Sequence, residues 1–154
     1  MSNPAQIQIH GTCVALGEDG VLLRGPSGAG KSDLALRLID RGARLVADDR
    51  VELRRCDARL LARAPAPLDG LIEVRGLGIV RLPSAIDVAI ALVVDLVPAA
   101  EIERLPEPGF ETLLGVARPR LALDPFEVSA PAKIALALAA GVGVVAAGEA
   151  VSAA

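Results

Sequence analysis

The sequence predicts an α/β fold on a mixed, largely buried sheet, and three observations carry that expectation. Short apolar runs rich in β-branched residues recur between glycine-containing turns. One early segment, residues 31–41, switches to helical spacing. Finally, 53% of residues are hydrophobic against 23% charged, enough apolar surface for a core. At 154 residues, one domain over 1–154 is expected rather than two.

Each element has its own signal. Residues 7–9 alternate with polar neighbours, and 13–16 and 21–23 are short apolar runs, which predicts three early strands. In 31–41 Leu34, Ala35, Leu38 and Ile39 recur at helical spacing, Ser32 and Asp33 occupy the first turn, and Gly42 follows as a stop. Residues 44–47 return to an extended pattern ending in Asp48 and Asp49. Residues 51–54 and 59–63 then read as a hairpin around 56–58. The proline-containing stretch 64–68 is a loop, and 71–74 and 78–82 are short strands flanking Arg75 and Gly76. Residues 87–96 are almost continuously apolar and β-branched, which suits a buried strand. Residues 98–109 form an acidic, proline-punctuated surface segment, and 130–140 a terminal helix, after which the pattern weakens.

Composition excludes several function classes. The net charge is −3, with two Phe, no Tyr and no Trp, so neither a phosphate-tracking groove nor a base-stacking surface for nucleic acid is expected. Cys13 and Cys56 lie far apart and there is one histidine, which gives no disulfide framework and no zinc spacing. Cys13 reads as a small core residue, and the pair fits reduced thiols in the cytoplasm. Residues 1–10 lack the basic start and apolar core of a signal peptide. The longest apolar run, 134–147, is short and interrupted by Gly141 and Gly143, so no membrane span is expected.

One motif dominates the chemistry. Gly25-Pro26-Ser27-Gly28-Ala29-Gly30-Lys31-Ser32 fits G-x-x-x-x-G-K-[ST] between a predicted strand and a predicted helix. Glycines let successive amides point into one concavity, and the helix start adds unpaired donors and a positive dipole end, so the loop suits the phosphates of a nucleotide. Lys31 would reach the β- and γ-phosphates, and Ser32 would place its hydroxyl on Mg²⁺. Asp48 and Asp49 close the next strand, where an α/β sheet presents its carboxyl ends. A carboxylate there can hold the metal or take a proton from an attacking hydroxyl. Neighbours on a strand end face opposite ways, and the division of labour between the two is open.

Taken in order, His10-Gly11, the loop 25–32, the run 33–36 and the segment 41–49 ending in Asp48-Asp49 resemble the bacterial HPr kinase/phosphorylase family, in its catalytic C-terminal domain. The segment Glu73-Val74-Arg75-Gly76-Leu77-Gly78-Ile79 is similar to that family's signature. The resemblance implies an ATP- and Mg²⁺-dependent enzyme that phosphorylates a serine of HPr, the phosphocarrier of the sugar phosphotransferase system, and in many members also removes that phosphate. It implies that residues 25–32 bind the nucleotide phosphates, that Lys31 stabilises the transferred group, and that Ser32 and Glu73 coordinate magnesium. His10 would sit near the phosphates, one of Asp48 and Asp49 would be the base, and Arg104 would match an active-site arginine. It also implies homo-oligomers, which are hexamers in full-length members.

Two departures from the family pattern shape the expectation. Only nine residues precede His10, so the N-terminal domain of full-length members is expected to be absent, as in the short alphaproteobacterial forms. Where the family has a basic Pro-Gly-Arg-Asn loop, this chain has 124–133, beginning Asp124-Pro125-Phe126-Glu127. Loss of cationic donors there favours the kinase direction over dephosphorylation. A nucleotide-binding regulatory module with little transfer activity and a small-molecule kinase are the alternative readings, since one phosphate cradle serves unrelated acceptors.

Overall fold

In a computed structural model, which describes residues 5–141, the chain runs β1 (Gln6–His10), β2 (Thr12–Leu16), β3 (Asp19–Arg24), α1 (Lys31–Asp40), β4 (Arg44–Ala47), β5 (Arg50–Cys56), β6 (Arg59–Arg63), β7 (Leu71–Val74), β8 (Gly78–Arg81), β9 (Val88–Leu96), β10 (Gly109–Leu113), β11 (Val116–Leu123) and α2 (Ala130–Ala140). One-turn 3-10 helices, Ala66–Leu68 and Ala99–Glu101, punctuate the two proline-containing segments. The apolar run 134–147 and the weakly patterned tail extend beyond residue 141, outside the described residues.

Nine strands form one curled mixed sheet in the order β1-β5-β6-β9-β3-β2-β4, with β11 on β9 and β10 on β11; β7 and β8 pair separately. β9 is the branch point. Its first residues pair antiparallel with β6, its last four pair parallel with β11, and its other edge runs parallel to β3. Enclosure on this scale accounts for its nearly unbroken apolar sequence. The sheet is buried in its centre, while β1 and β10 at the rims leave alternate residues exposed. Because β2 is antiparallel to both β3 and β4, the strands β3, β4, β9 and β11 all run the same way. Their carboxyl ends, and the loops that follow, therefore share one edge of the molecule.

The core has two compartments, separated by the pleat. Val21 and Leu23 of β3 face α1 and α2, joining Leu34, Leu38, Leu92, Val94 and Ile134, whereas Leu22 faces into the curl with Cys13, Val46, Leu53, Leu60 and Val93. Helix α1 ends as the glycine signal predicts. Gly42 has φ 106, its N–H bonds the Ile39 carbonyl at 2.9 Å, and the Ala43 N–H bonds the Leu38 carbonyl at 3.0 Å, which together make a Schellman stop.

The curl comes from two breaks in otherwise continuous strands. β1 passes into β2 through Gly11, and β4 passes into β5 through Asp48 and Asp49, so each chain segment leaves one side of the sheet and joins the other. The breaks lie side by side, with the Gly11 N–H bonding the Asp49 carbonyl at 3.2 Å. A Cβ on Gly11 would stand 3.0 Å from the Leu23 carbonyl oxygen and 3.4 Å from Leu22 Cδ1, both deep in the core. A methyl group here would be tighter than ordinary packing and would have to displace the β3 backbone beneath the bend.

The hairpin of β10 and β11 has no counterpart in the sequence-based expectation. Its turn is Leu114-Gly115, with both residues at positive φ (51° and 78°), and leucine is an unusual occupant of that conformation. Pro119 also argues against a strand when read alone. It is tolerated because β11 meets β9 only from Arg120 onward, so at Pro119 the strand has a ladder on one side alone.

Two outcomes follow from this packing. Gly11→Ala is expected to lower unfolding stability in urea by about 1–3 kcal/mol through overpacking beneath the bend. Burial pushes the Cys13 thiol up to about 12, whereas Cys56 is exposed. Since the thiolate is the reactive form, native protein at pH 8 should consume one equivalent of a thiol reagent quickly, and the second only in denaturant.

Candidate active site

The loop 25–32 links the end of β3 to the start of α1 at the shared strand edge. Gly28 and Gly30 take positive φ, 82° and 98°, and the Ala29 N–H closes a turn onto the Pro26 carbonyl at 3.0 Å. Gly30 is the N-cap of α1, and no side chain caps the helix. The first-turn amides are thus left to whatever anion meets the loop. Gly25 allows close contact as well, since a Cβ there would stand 3.0 Å from Ala29 Cβ and 3.4 Å from Leu96 Cβ. Lys31 curls back over the loop, with its Nζ donating to the carbonyls of Gly25 at 2.6 Å and Pro26 at 3.0 Å.

The two aspartates part company. Asp48 is buried and its carboxylate accepts three hydrogen bonds: from Thr12 Oγ1 at 2.9 Å and Ser32 Oγ at 2.7 Å on Oδ1, and from the Glu73 N–H at 3.0 Å on Oδ2. One side chain thereby joins β2, the glycine-rich loop and β7. Asp49 turns outward at φ 70, a left-handed conformation that aspartate tolerates better than most residues. Its exposed carboxylate stands 3.7 Å from His10 Nδ1, across the paired strand breaks. Alternation at a strand end predicts such a split, and the neighbouring chain decides which residue goes where.

Oxygen donors beside the loop suit a hard divalent cation. The Ser32 hydroxyl and the Asp48 carboxylate are in direct contact, and the backbone of Glu73 is pinned to the same carboxylate while its side chain is exposed. Among the described residues no cluster of three or more His, Cys, Asp or Glu forms a self-sufficient metal cage, so an ion here would need phosphate or water oxygens to complete its shell.

Arg104 is the sequence-predicted residue that the structure does not gather in. It lies exposed on the segment after Ala99–Glu101, which leaves the end of β9 on the same edge. Thr12 and the charged group around Arg24 were not legible from the motif. Thr12 is fully buried and fixes Asp48; a hydroxyl placed directly after His10-Gly11 in an apolar strand was its only signal. Arg24, the residue before the loop, bonds Asp95 through Nε at 2.8 Å and Nη2 at 3.1 Å and also bonds Glu111, while Arg120 Nε reaches Asp95 at 2.7 Å. Its hydrogen bonds to Asp95, partly offset by burial, raise the Arg24 pKa, and the ion pairs tie the root of the loop to β9, β10 and β11.

The chain matches the HPr Serine kinase C-terminal domain family over residues 3–116. It belongs to that family. The HPr kinase/phosphorylase of Clostridium tetani is 46% identical over 79 residues, covering 51% of this chain and 26% of that protein. The HPr kinase/phosphorylase of Listeria monocytogenes is 49% identical over 77 residues, covering 49% of this chain and 25% of that protein. The chain thus spans about a quarter of the length of the curated relatives it matches. Among solved structures, the Hpr(Ser) kinase/phosphatase from Coxiella burnetii superposes with a TM-score of 0.74 at 28% identity, over 83% of this chain and 91% of that one. No helix among the described residues is long and apolar enough to cross a membrane.

Thr12→Val keeps the shape of the buried side chain and removes one donor from Asp48. The expected loss is about 1–3 kcal/mol of stability, because a buried carboxylate oxygen loses a partner; urea unfolding of the two proteins measures it.

Proposed function

We propose that the chain is an ATP- and magnesium-dependent protein serine kinase whose acceptor is an HPr-type phosphocarrier, acting in the cytoplasm. The observation that carries this reading is the division of the aspartates: Asp48 is buried and accepts from Thr12, Ser32 and Glu73, and Asp49 stands exposed beside His10. A buried carboxylate with three donors is an organiser, whereas an exposed one at the rim of a phosphate cradle can meet an incoming hydroxyl. Membership in the HPr kinase family and the similarity to HPr kinase/phosphorylases support the acceptor class.

Each residue then has a role that its position allows. The amides of residues 25–32 hold the β- and γ-phosphates, and Lys31, released from the Gly25 and Pro26 carbonyls, transfers its donors to phosphate oxygens. Ser32 and Glu73 would hold magnesium, with Asp48 fixing the Ser32 hydroxyl. The metal, when bound, offsets negative charge on the phosphates. Asp49, with His10 beside it, takes the proton as the serine oxygen forms its bond to the γ-phosphorus and the bond to the ADP oxygen breaks. Arg104, without an ion pair among the described residues, is available to phosphate oxygens from the segment that leaves β9.

Transfer toward the serine is the favoured direction. The two cations that bond to the loop 124–129 are engaged by it, with Arg37 on the carbonyls of Pro125 and Glu127 and Lys133 on the Glu127 carboxylate. No side chain of that loop offers a positive charge to free phosphate.

Incubation with ATP, Mg²⁺ and the HPr-type protein of the same organism should add the mass of one phosphoryl group to that protein. Asp49→Asn is expected to slow transfer by about 10²–10⁴-fold while leaving nucleotide binding intact, since it removes a base and no phosphate ligand. Lys31→Ala should lose both. Unchanged transfer in Asp49→Asn would overturn the assignment of the base, and no transfer by folded wild type would overturn the kinase reading.

A further inference from the structure

The loop between β11 and α2 rises from the same strand edge as the glycine-rich loop, and it carries Phe126, one of only two aromatic residues in the chain. Its ring lies directly on Gly30. A Cβ at Gly30 would stand 3.2 Å from both Cε1 and Cζ of Phe126 and 3.3 Å from Pro125 Cγ. Even so, the residue is 69% exposed, so most of the ring faces solvent. Exposure alone is ordinary for a single apolar residue, and Phe110 is as open; what sets Phe126 apart is that its ring lies on the glycine-rich loop.

The loop does not hold the ring there by default, because several contacts brace it. Arg37 of α1 donates to the carbonyls of Pro125 and of Glu127, the latter at 3.4 Å. The Phe126 N–H bonds Asp124 Oδ1 at 3.0 Å, and Lys133 pairs with Glu127. The ring is therefore presented by a preorganised loop tied to the helix whose first turn forms the phosphate cradle.

We propose that Phe126 is the stacking surface for the base of the bound nucleoside triphosphate. This rests on the reading of residues 25–32 as the triphosphate cradle. A flat π-face next to the cradle, at the carboxyl end of a parallel strand, matches the base in shape and chemistry. The Pro125 and Glu127 carbonyls beside the ring already accept from Arg37. Stacking without edge readout tolerates any base, so ATP and GTP should bind with similar affinity.

The absence of tryptophan makes the test direct. In F126W the single indole should be quenched on titration with Mg-ATP or Mg-GTP and should stay unquenched with inorganic tripolyphosphate, which has no base. By calorimetry, F126A should weaken ATP by about 5- to 150-fold and leave tripolyphosphate unchanged. F126L, apolar but without a π-face, should resemble F126A, while F126W should retain wild-type affinity. Circular dichroism checks that each variant is folded. ATP affinity unaltered in F126A would overturn the proposal. So would equal weakening of ATP and tripolyphosphate, which makes the ring a support of the loop, or tightening of both, which makes it a cover. An F126A that keeps ATP affinity but fails to phosphorylate the carrier would overturn it in favour of a protein-docking role. If wild type binds neither ATP nor tripolyphosphate, the cradle reading falls and the base surface falls with it; tripolyphosphate binding without any gain for ATP sinks the base surface alone.

Discussion

A single buried carboxylate, that of Asp48, holds together three pieces of chain that are distant in sequence. Thr12 reaches it from β2, Ser32 from the start of α1, and the Glu73 amide from β7. Burying a charge is unfavourable unless its lone pairs are met by donors, and here three donors meet it. The requirement works in both directions. Asp48 holds the Ser32 end of the glycine-rich loop against the strand edge, and Asp48 can be buried because those donors meet it. It also brings the β7–β8 hairpin, which is not part of the main sheet, to the mouth of the loop.

Asp48 sits where it does because the sheet is bent at two adjacent places. Gly11 and the Asp48-Asp49 pair interrupt β1–β2 and β4–β5 side by side, so the residues at the breaks are freed from the pleat at a common point. His10 and Asp49 emerge on the outside of the bend, and Thr12 and Asp48 on the inside. A second layer of support comes from the charged quartet around Asp95, which connects the residue before the loop to the β9–β11 branch of the sheet. The loop is thus anchored at its root by ion pairs and at its far end by the packing of α1.

Local signals were legible wherever a short stretch of sequence carries its own physics. The bounds of β7 and α2, the glycine stop of α1 and the long buried strand β9 follow from spacing, β-branching and turn residues. The hairpin β10–β11 was not legible, because its turn places a leucine at positive φ and one of its strands carries a proline. Both are exceptions that only the neighbouring strands make acceptable. Thr12 and Arg24 were invisible for a related reason: each is an ordinary residue type whose importance comes entirely from a partner far along the chain.

By itself the sequence determined the chemistry on offer: a glycine-rich loop before a helix, a lysine and a serine at its end, two acids after the next strand, and a family resemblance that runs through all of them. Those features depend on spacings of a few residues, which backbone geometry converts directly into structure. Only the tertiary structure decided which acid is buried and which is exposed, and that Phe126 comes to lie on Gly30. Both outcomes depend on which strands share an edge and where the sheet bends, and those are set by the packing of the whole core, which no single stretch of the chain encodes.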